Sequence, residues 1–181
     1  MKSNTKTISR NFLSRPTQPI EIDPEVNLDQ LLAKMEKISF QGRNLATALS
    51  IWKAMLKDKV TIFLGIAGAM SAGGMRKVVS YLIENRFVDC VVSTGANLFH
   101  DMHESLGRYH FMGSPHVNDV ELQKQLIDRV YDTYAKEMEF RALDTLIGEF
   151  AHSLDLSKTY STREFFYLLG EKIWKMKKQK G

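Results

Sequence analysis

One stretch confines the fold of this chain more than any other: Lys59-Val-Thr-Ile-Phe-Leu-Gly-Ile-Ala-Gly-Ala-Met-Ser-Ala-Gly-Gly-Met-Arg76. Val60 to Leu64 is an apolar, β-branched run closed by Gly65, the pattern of a buried parallel strand. Gly65, Gly68, Gly73 and Gly74 then crowd one loop, and Met75, Val78, Val79, Leu82 and Ile83 follow at helical spacing. A strand, a glycine loop and a helix in that order let the backbone pass close to a ligand and turn N–H groups toward an anion. The spacing is not Gly-x-Gly-x-x-Gly, and no Lys-Ser or Lys-Thr closes it as in a P-loop. It equally fits a plain connection kept small so that the helix can pack on the sheet.

A second strand sharpens the choice. Val88-Asp-Cys-Val-Val-Ser-Thr-Gly-Ala-Asn97 is again a buried pattern, ending in small and hydroxyl-bearing residues. The usual dinucleotide fold places an acidic residue near that strand end to hold a ribose. Here Ser93, Thr94, Gly95, Ala96 and Asn97 stand there, and Asp89 sits at the strand's beginning. The standard Rossmann pattern therefore fails. Two strand ends lined with small polar residues still make a nucleotide-sized crevice.

The remaining chain is mostly helical in pattern. Residues 1–26, with Pro16 and Pro19 among polar residues, read as an extended arm before one α/β domain over 27–181. Leu28, Leu31, Leu32, Met35 and Ile38 make a short amphipathic helix with Asn27 as a candidate cap, and Arg43 to Leu56 a second. Leu98 to Gly107 predicts a helix ended by Gly107. Tyr109 to Met112 is a strand or a loop. A helix then carries Leu122, Leu126, Ile127, Val130 and Tyr134, and another runs from Glu137 to Leu154. Ser161-Thr-Arg-Glu164 is a capping box opening the last helix.

Composition excludes several classes. Hydrophobic content of 44% against 25% charged residues is that of a globular protein, and no run of 18 apolar residues suggests a membrane span. The net charge of +4 comes from four lysines among the last seven residues, so it does not point to nucleic acid. The single cysteine, Cys90, is expected to be a buried small hydrophobe, and a reducing cytoplasm is the expected setting. His100 and His103 share a helix face, with His110 close behind. Their spacing is not that of zinc hydrolases, so they are expected to line a polar rim near the crevice rather than to hold a metal.

Several spaced motifs together carry a resemblance. Phe63-Leu-Gly, Gly74-Met-Arg76, Tyr81-Leu-Ile and Val88-Asp-Cys-Val-Val-Ser-Thr-Gly resemble the deoxyhypusine synthases. The run from Ser93 to Asp101 is similar to the bacterial deoxyhypusine synthase-like branch. The likeness extends from about Ser39 to Ile173, with Ser39-Phe-Gln-Gly and Ile127-Asp-Arg-Val as landmarks.

The resemblance implies a Rossmann-like parallel sheet flanked by helices, truncated here to about the first half of the family domain. It implies NAD as cofactor, contacted by Gly68, Ala69, Met70, Ser71, Ala72 and Gly73 on one loop and by Ser93, Thr94, Gly95 and Ala96 on the next. A family glutamate falls on His100, and the acid after it survives as Asp101. The family's Asn and Ser-Ser become Ala69 and Ala72-Gly73, which leaves backbone N–H groups to do the binding.

The implied reaction oxidises spermidine and passes its aminobutyl group, through an imine on an enzyme lysine, to a protein lysine or a small amine. The family's nucleophilic lysine lies in the half this chain does not match, and no motif promotes Lys172 or Lys175 to that role. The chain is therefore expected to be inactive alone. Its expected partners are a polyamine, together with another copy of itself or a full-length relative. A non-catalytic subunit or truncated product is the competing expectation.

Overall fold

The computed structural model describes residues 12–179. They divide at the Ile62–Phe63 bond into two compact units.

The first unit is helical. α1 (Leu28–Lys34) begins at Asn27, whose side chain accepts from the Gln30 amide at 2.9 Å. The Gln30 side chain accepts in return from the Asn27 amide at 3.1 Å, completing a capping box. The helix tightens into a 3₁₀ turn over Met35–Lys37 and breaks at Ile38, which is extended. α2 (Phe40–Met55) follows, starting three residues before the expected Arg43, with Ala46 as its buried residue.

The second unit holds the two strands read from the sequence. β1 (Phe63–Ile66) and β2 (Cys90–Ser93) are parallel, with Phe63 opposite Cys90 and Ile66 opposite Ser93. β1 starts later than the expected Val60, because its partner begins only opposite Phe63. The crossover between them contains a π-type turn at Ser71–Met75 and α3 (Arg76–Glu84).

α4 (Gly95–Ser105) leaves β2 after a single residue. It ends where Gly107 adopts φ +79°, with Gly107 N–H donating to the Glu104 carbonyl and Arg108 N–H to that of His103. This paired closure is the left-handed cap that glycine favours.

Beyond it the chain departs from expectation. The apolar spacing from Leu122 to Tyr134 does not form one helix. α5 (Asp119–Lys124), capped by Asn118, stops, and Leu126 takes φ +56°. β4 (Ile127–Val130) and β5 (Thr133–Lys136) then form a hairpin, with the short β3 (Phe111–Met112) on the other side of β5. This second sheet is antiparallel. Ile127, Val130, Thr133 and Tyr134 are β-branched or aromatic, and cross-strand pairing rewards them more than a helix would.

α6 (Glu137–His152) and α7 (Thr162–Gln179) complete the unit. The expected capping box at Ser161 is present: Ser161 N–H and hydroxyl both donate to Glu164 Oε2, at 2.8 and 2.6 Å. Phe150, Leu169 and Ile173 form the core between these helices, with Met102, Leu106, Leu146 and Phe165 packed around them.

The parallel strands are not buried on both faces, as their sequences suggested. Phe63 is 65% exposed and Val92 60%, and Val78, Tyr81 and Ile83 on α3 are also exposed. Cys90, expected in the interior, is only half-buried. Among the described residues each strand has one neighbour, so its apolar residues lack the covering that a wider sheet would give.

Candidate functional site: a glycine loop clasped to the neighbouring strand end

The parallel register sets β1 and β2 to end side by side, with Ile66 beside Ser93. The ladder runs one step further, the Thr94 amide donating to the Ile66 carbonyl at 3.1 Å. Both chains therefore leave the sheet at the same end. The glycine loop from Gly68 to Gly74 and the segment from Ser93 to Ala96 are neighbours, as the sequence predicted.

Side chains tie the two together. The Thr94 hydroxyl donates to the Gly68 carbonyl at 2.7 Å. Asn97, only 4% exposed, lies at the centre. Its Nδ2 donates to Thr94 Oγ1 at 3.0 Å and to the Ile66 carbonyl at 3.3 Å, while its Oδ1 accepts from the Ser71 amide at 3.2 Å. A buried amide with donors and acceptor all engaged fixes a geometry that water could not. Asn97 was visible as the last residue of the strand-end motif. Its role as the link between loops was not, because hydrogen bonding across 26 residues leaves no local pattern.

The loop's conformation needs its glycines at two positions, Gly68 with φ +64° and Gly74 with φ +85°. The Met75 amide donates to the Met70 carbonyl five residues back, which makes the π-type turn. A Cβ placed on Gly65, Gly68, Gly73, Gly74 or Gly95 would meet no atom within 4 Å. The glycines thus border open space, and close backbone approach by a ligand is sterically available there.

The hydroxyls have definite tasks. Ser93 Oγ donates to the Thr94 carbonyl at 3.1 Å, and the Thr94 hydroxyl is spent on Gly68. Thr94 stands at the cap position of α4, yet its side chain makes no capping bond. The first-turn amides of α4, beginning at Gly95 and Ala96, are the groups a helix start offers to an anion. On the other loop Ala72 is buried, Met70 is exposed, and Ala69 and Ser71 are half-buried.

His100 and Asp101 are placed differently from the other ten residues. The expectation that His100 lines a polar rim is corrected: it is 7% exposed, with its Nδ1 2.8 Å from His110 Nε2. His103 is fully buried, and Phe140 of α6 packs edge-on against both rings. Burial and the neighbouring imidazoles hold His100 below the usual histidine pKa. His103 is lowered too, by burial first and by His110 in part. Asp101 is held by the Arg76 guanidinium, which also donates to Ser105 Oγ at 2.6 Å. It borders a hollow of about 300 Å³ lined by Met102, Phe166, Ile173 and Trp174. Among the described residues no group of three or more His, Cys, Asp and Glu side chains is arranged to hold a metal.

The fold and site define an α/β protein whose glycine loop and neighbouring strand end lie at the same end of one parallel sheet. The chain belongs to the deoxyhypusine synthase family, whose model matches residues 30–179. It is 48% identical over 163 residues to "Probable deoxyhypusine synthase 2" of Methanosarcina acetivorans, covering 90% of this chain and 47% of that protein. A "Deoxyhypusine synthase-like protein" of Chlorobaculum parvum is 39% identical, covering 90% and 46%. A crystal structure from Entamoeba histolytica assigned to deoxyhypusine synthase superposes with a TM-score of 0.56 at 18% identity, covering 86% of this chain and 54% of that one. That likeness carries the fold alone. The chain spans about half the length of the curated relatives it matches.

Proposed function

We propose that this chain forms the cofactor-binding side of an NAD-dependent transferase that moves an aminobutyl group from spermidine, or a related polyamine, to an amine acceptor. The observation that carries this reading is the clasp. Thr94 and Asn97 hold two glycine-bearing loops together, with open space over the glycines and uncapped amides at the start of α4. Such a surface suits a pyrophosphate, which backbone N–H groups and a helix N-terminus can bind without basic side chains.

In this reading Gly68, Ala69, Met70, Ser71, Ala72 and Gly73 supply backbone approach on one side. Ser93, Thr94, Gly95 and Ala96 form the other wall. His100 and Asp101 are given no contact with the cofactor, since His110 and Arg76 already engage them. NAD bound there would supply the hydride acceptor for oxidising an amine carbon. The chain's own residues bind and orient, and none of them is assigned a covalent step. Lys172 and Lys175 lie on α7 and are not offered as nucleophiles.

The exposed apolar surface favours a paired assembly. Phe63, Val92, Val78, Tyr81 and Ile83 need covering, and the curated relatives carry about as much chain again. The partner is a second copy or a full-length relative that adds strands beside β1 or β2. A reducing cytoplasm is the proposed setting. Among the described residues no helix is long and apolar enough to cross a membrane.

The test is calorimetric titration of the chain with NAD, followed by an assay of spermidine-dependent NADH formation with and without a full-length relative. NAD binding by the chain, with turnover only in the mixture, supports the proposal. Turnover by the chain alone, or no NAD binding in either state, overturns it.

A further inference from the structure

The buried polar residues Asn97, His100 and His103 recur every three positions along α4, on one face. Asn97, at the outer end, holds the glycine loop. The two histidines, further along, meet His110 from the segment before β3 and Phe140 from α6. The stripe therefore joins the clasp to the interior of the second unit. Nothing in the proposed binding role of the loops uses these imidazoles.

Their hydrogen bonds define a proton inventory. His110 Nδ1 lies 2.8 Å from Glu104 Oε1, so that nitrogen carries a hydrogen and donates to the carboxylate. His110 Nε2 faces His100 Nδ1 at 2.8 Å, so one hydrogen lies between those two nitrogens. A single added proton can be shared along this pair with the bond intact. Two put N–H against N–H and break it. His103 Nε2 is 3.3 Å from the Tyr109 carbonyl and 3.6 Å from Glu139 Oε2, while its Nδ1 is buried without a hydrogen-bond partner. Charging His103 would set a second N–H into an aromatic interior with no acceptor.

The remaining charges compensate only in part: Glu104 favours the charged form of His100 and Glu139 that of His103, but burial outweighs both. Glu104 faces His100 and His110, and Glu139 faces His103. Glu139 is shared with Lys136 at 3.3 Å, and Arg108, which donates to the Glu139 carbonyl, adds positive charge beside His103. The faces of the cluster left over are the Phe99 and Phe140 rings.

We propose that the His100–His103–His110 cluster is a proton-sensitive lock: with His100 and His103 neutral it seats α4 and, through Asn97, holds the glycine loop closed, and acid releases it. The depressed pKa values of His100 and His103 agree with this sign. Released α4 no longer presents Asn97 to Ser71, so the loop loses its link to the second strand end. The lock is independent of what the loop binds, and its test uses no nucleotide.

The experiment is hydrogen exchange on the full 181-residue chain. Peptides spanning 67–76 and 108–114 are followed at about pH 7.5 and about pH 5.5, corrected for intrinsic rates. Both segments should exchange about tenfold faster at the lower pH, together and reversibly. His103→Phe, which keeps an aromatic ring but cannot charge, and His110→Gln should each reduce that acceleration. If a variant does not fold, NMR titration of the wild-type imidazole carbons decides. Ring protonation of His100 and His103 in step with loop exchange supports the lock, and ring protonation without loop exchange overturns it. Unchanged exchange in the wild type, an undiminished acid response in both folded variants, or a stoichiometric metal ion bound by the three histidines would each overturn the proposal.

Discussion

Thr94 donates its hydroxyl to the carbonyl of Gly68 at 2.7 Å, joining the cap position of α4 to the first left-handed glycine of the neighbouring loop. The bond spans 26 residues of sequence and acts between two strand ends that the parallel register has already placed together. It makes the two loops one structural element. Substitutions on either side should therefore be felt on both.

Asn97→Ala is the most direct case. It leaves the Ser71 amide and the Thr94 hydroxyl without their buried partner. The expected loss of stability is about 1–3 kcal/mol, read from urea unfolding. In the proposed cofactor-binding role, NAD affinity should fall along with it. A variant as stable as the parent would show that water replaces the amide without cost.

Two glycines should respond in opposite directions. Gly74 has room for a methyl group but a φ of +85°, so Gly74→Ala should cost about 1–2 kcal/mol through backbone strain alone. Gly148 lies inside α6 with open space around it, and Gly148→Ala should stabilise by about 0.5–1 kcal/mol. Thermal unfolding of the two variants beside the parent checks both signs.

Asp128 gives a pH prediction of defined sign. Burial, and then the hydrogen bond and charge of Glu137, raise its pKa to about 6. Arg141 meanwhile pairs with Glu137 at 2.6 Å. A raised carboxylate pKa means that the folded state holds a proton the unfolded state has already lost. Asp128 therefore favours folding below its unfolded value and progressively less as pH rises through about 6. Asp128→Asn should flatten that part of the curve, measured as the difference in unfolding free energy between variant and parent from acid to neutral pH. The sign is opposite to that of the histidine cluster, where depressed pKa values make stability fall as pH drops below the ordinary histidine range.

Exposed Phe63 supplies a test of pairing. Phe63→Lys should lower self-association in sedimentation equilibrium, because a charge on an open strand opposes edge-to-edge addition. Met138, also exposed but on α6, is the control, and Met138→Lys should leave the mass distribution unchanged.

The sequence by itself determined the local grammar. β-branched runs gave the parallel pair, Gly107 stopped α4, and Asn27 and Ser161 opened the helices they were expected to cap. Those features depend on neighbouring residues, so a linear reading reaches them. The placement of the ten loop residues at two adjacent strand ends was legible for the same reason, since small residues at strand ends are a local pattern.

Tertiary structure decided the rest. Leu122 to Tyr134 has helical spacing, yet pairing with β3 and across the hairpin made it helix, turn and strands. His100 had the position of a rim residue and went inside, because His110 and Phe140, distant in sequence, enclose it. Asn97 became the link between loops only when the register of β1 and β2 brought Ser71 within reach. In each case the deciding partner lay outside the local window, and burial with that partner outweighed the preference of the segment alone.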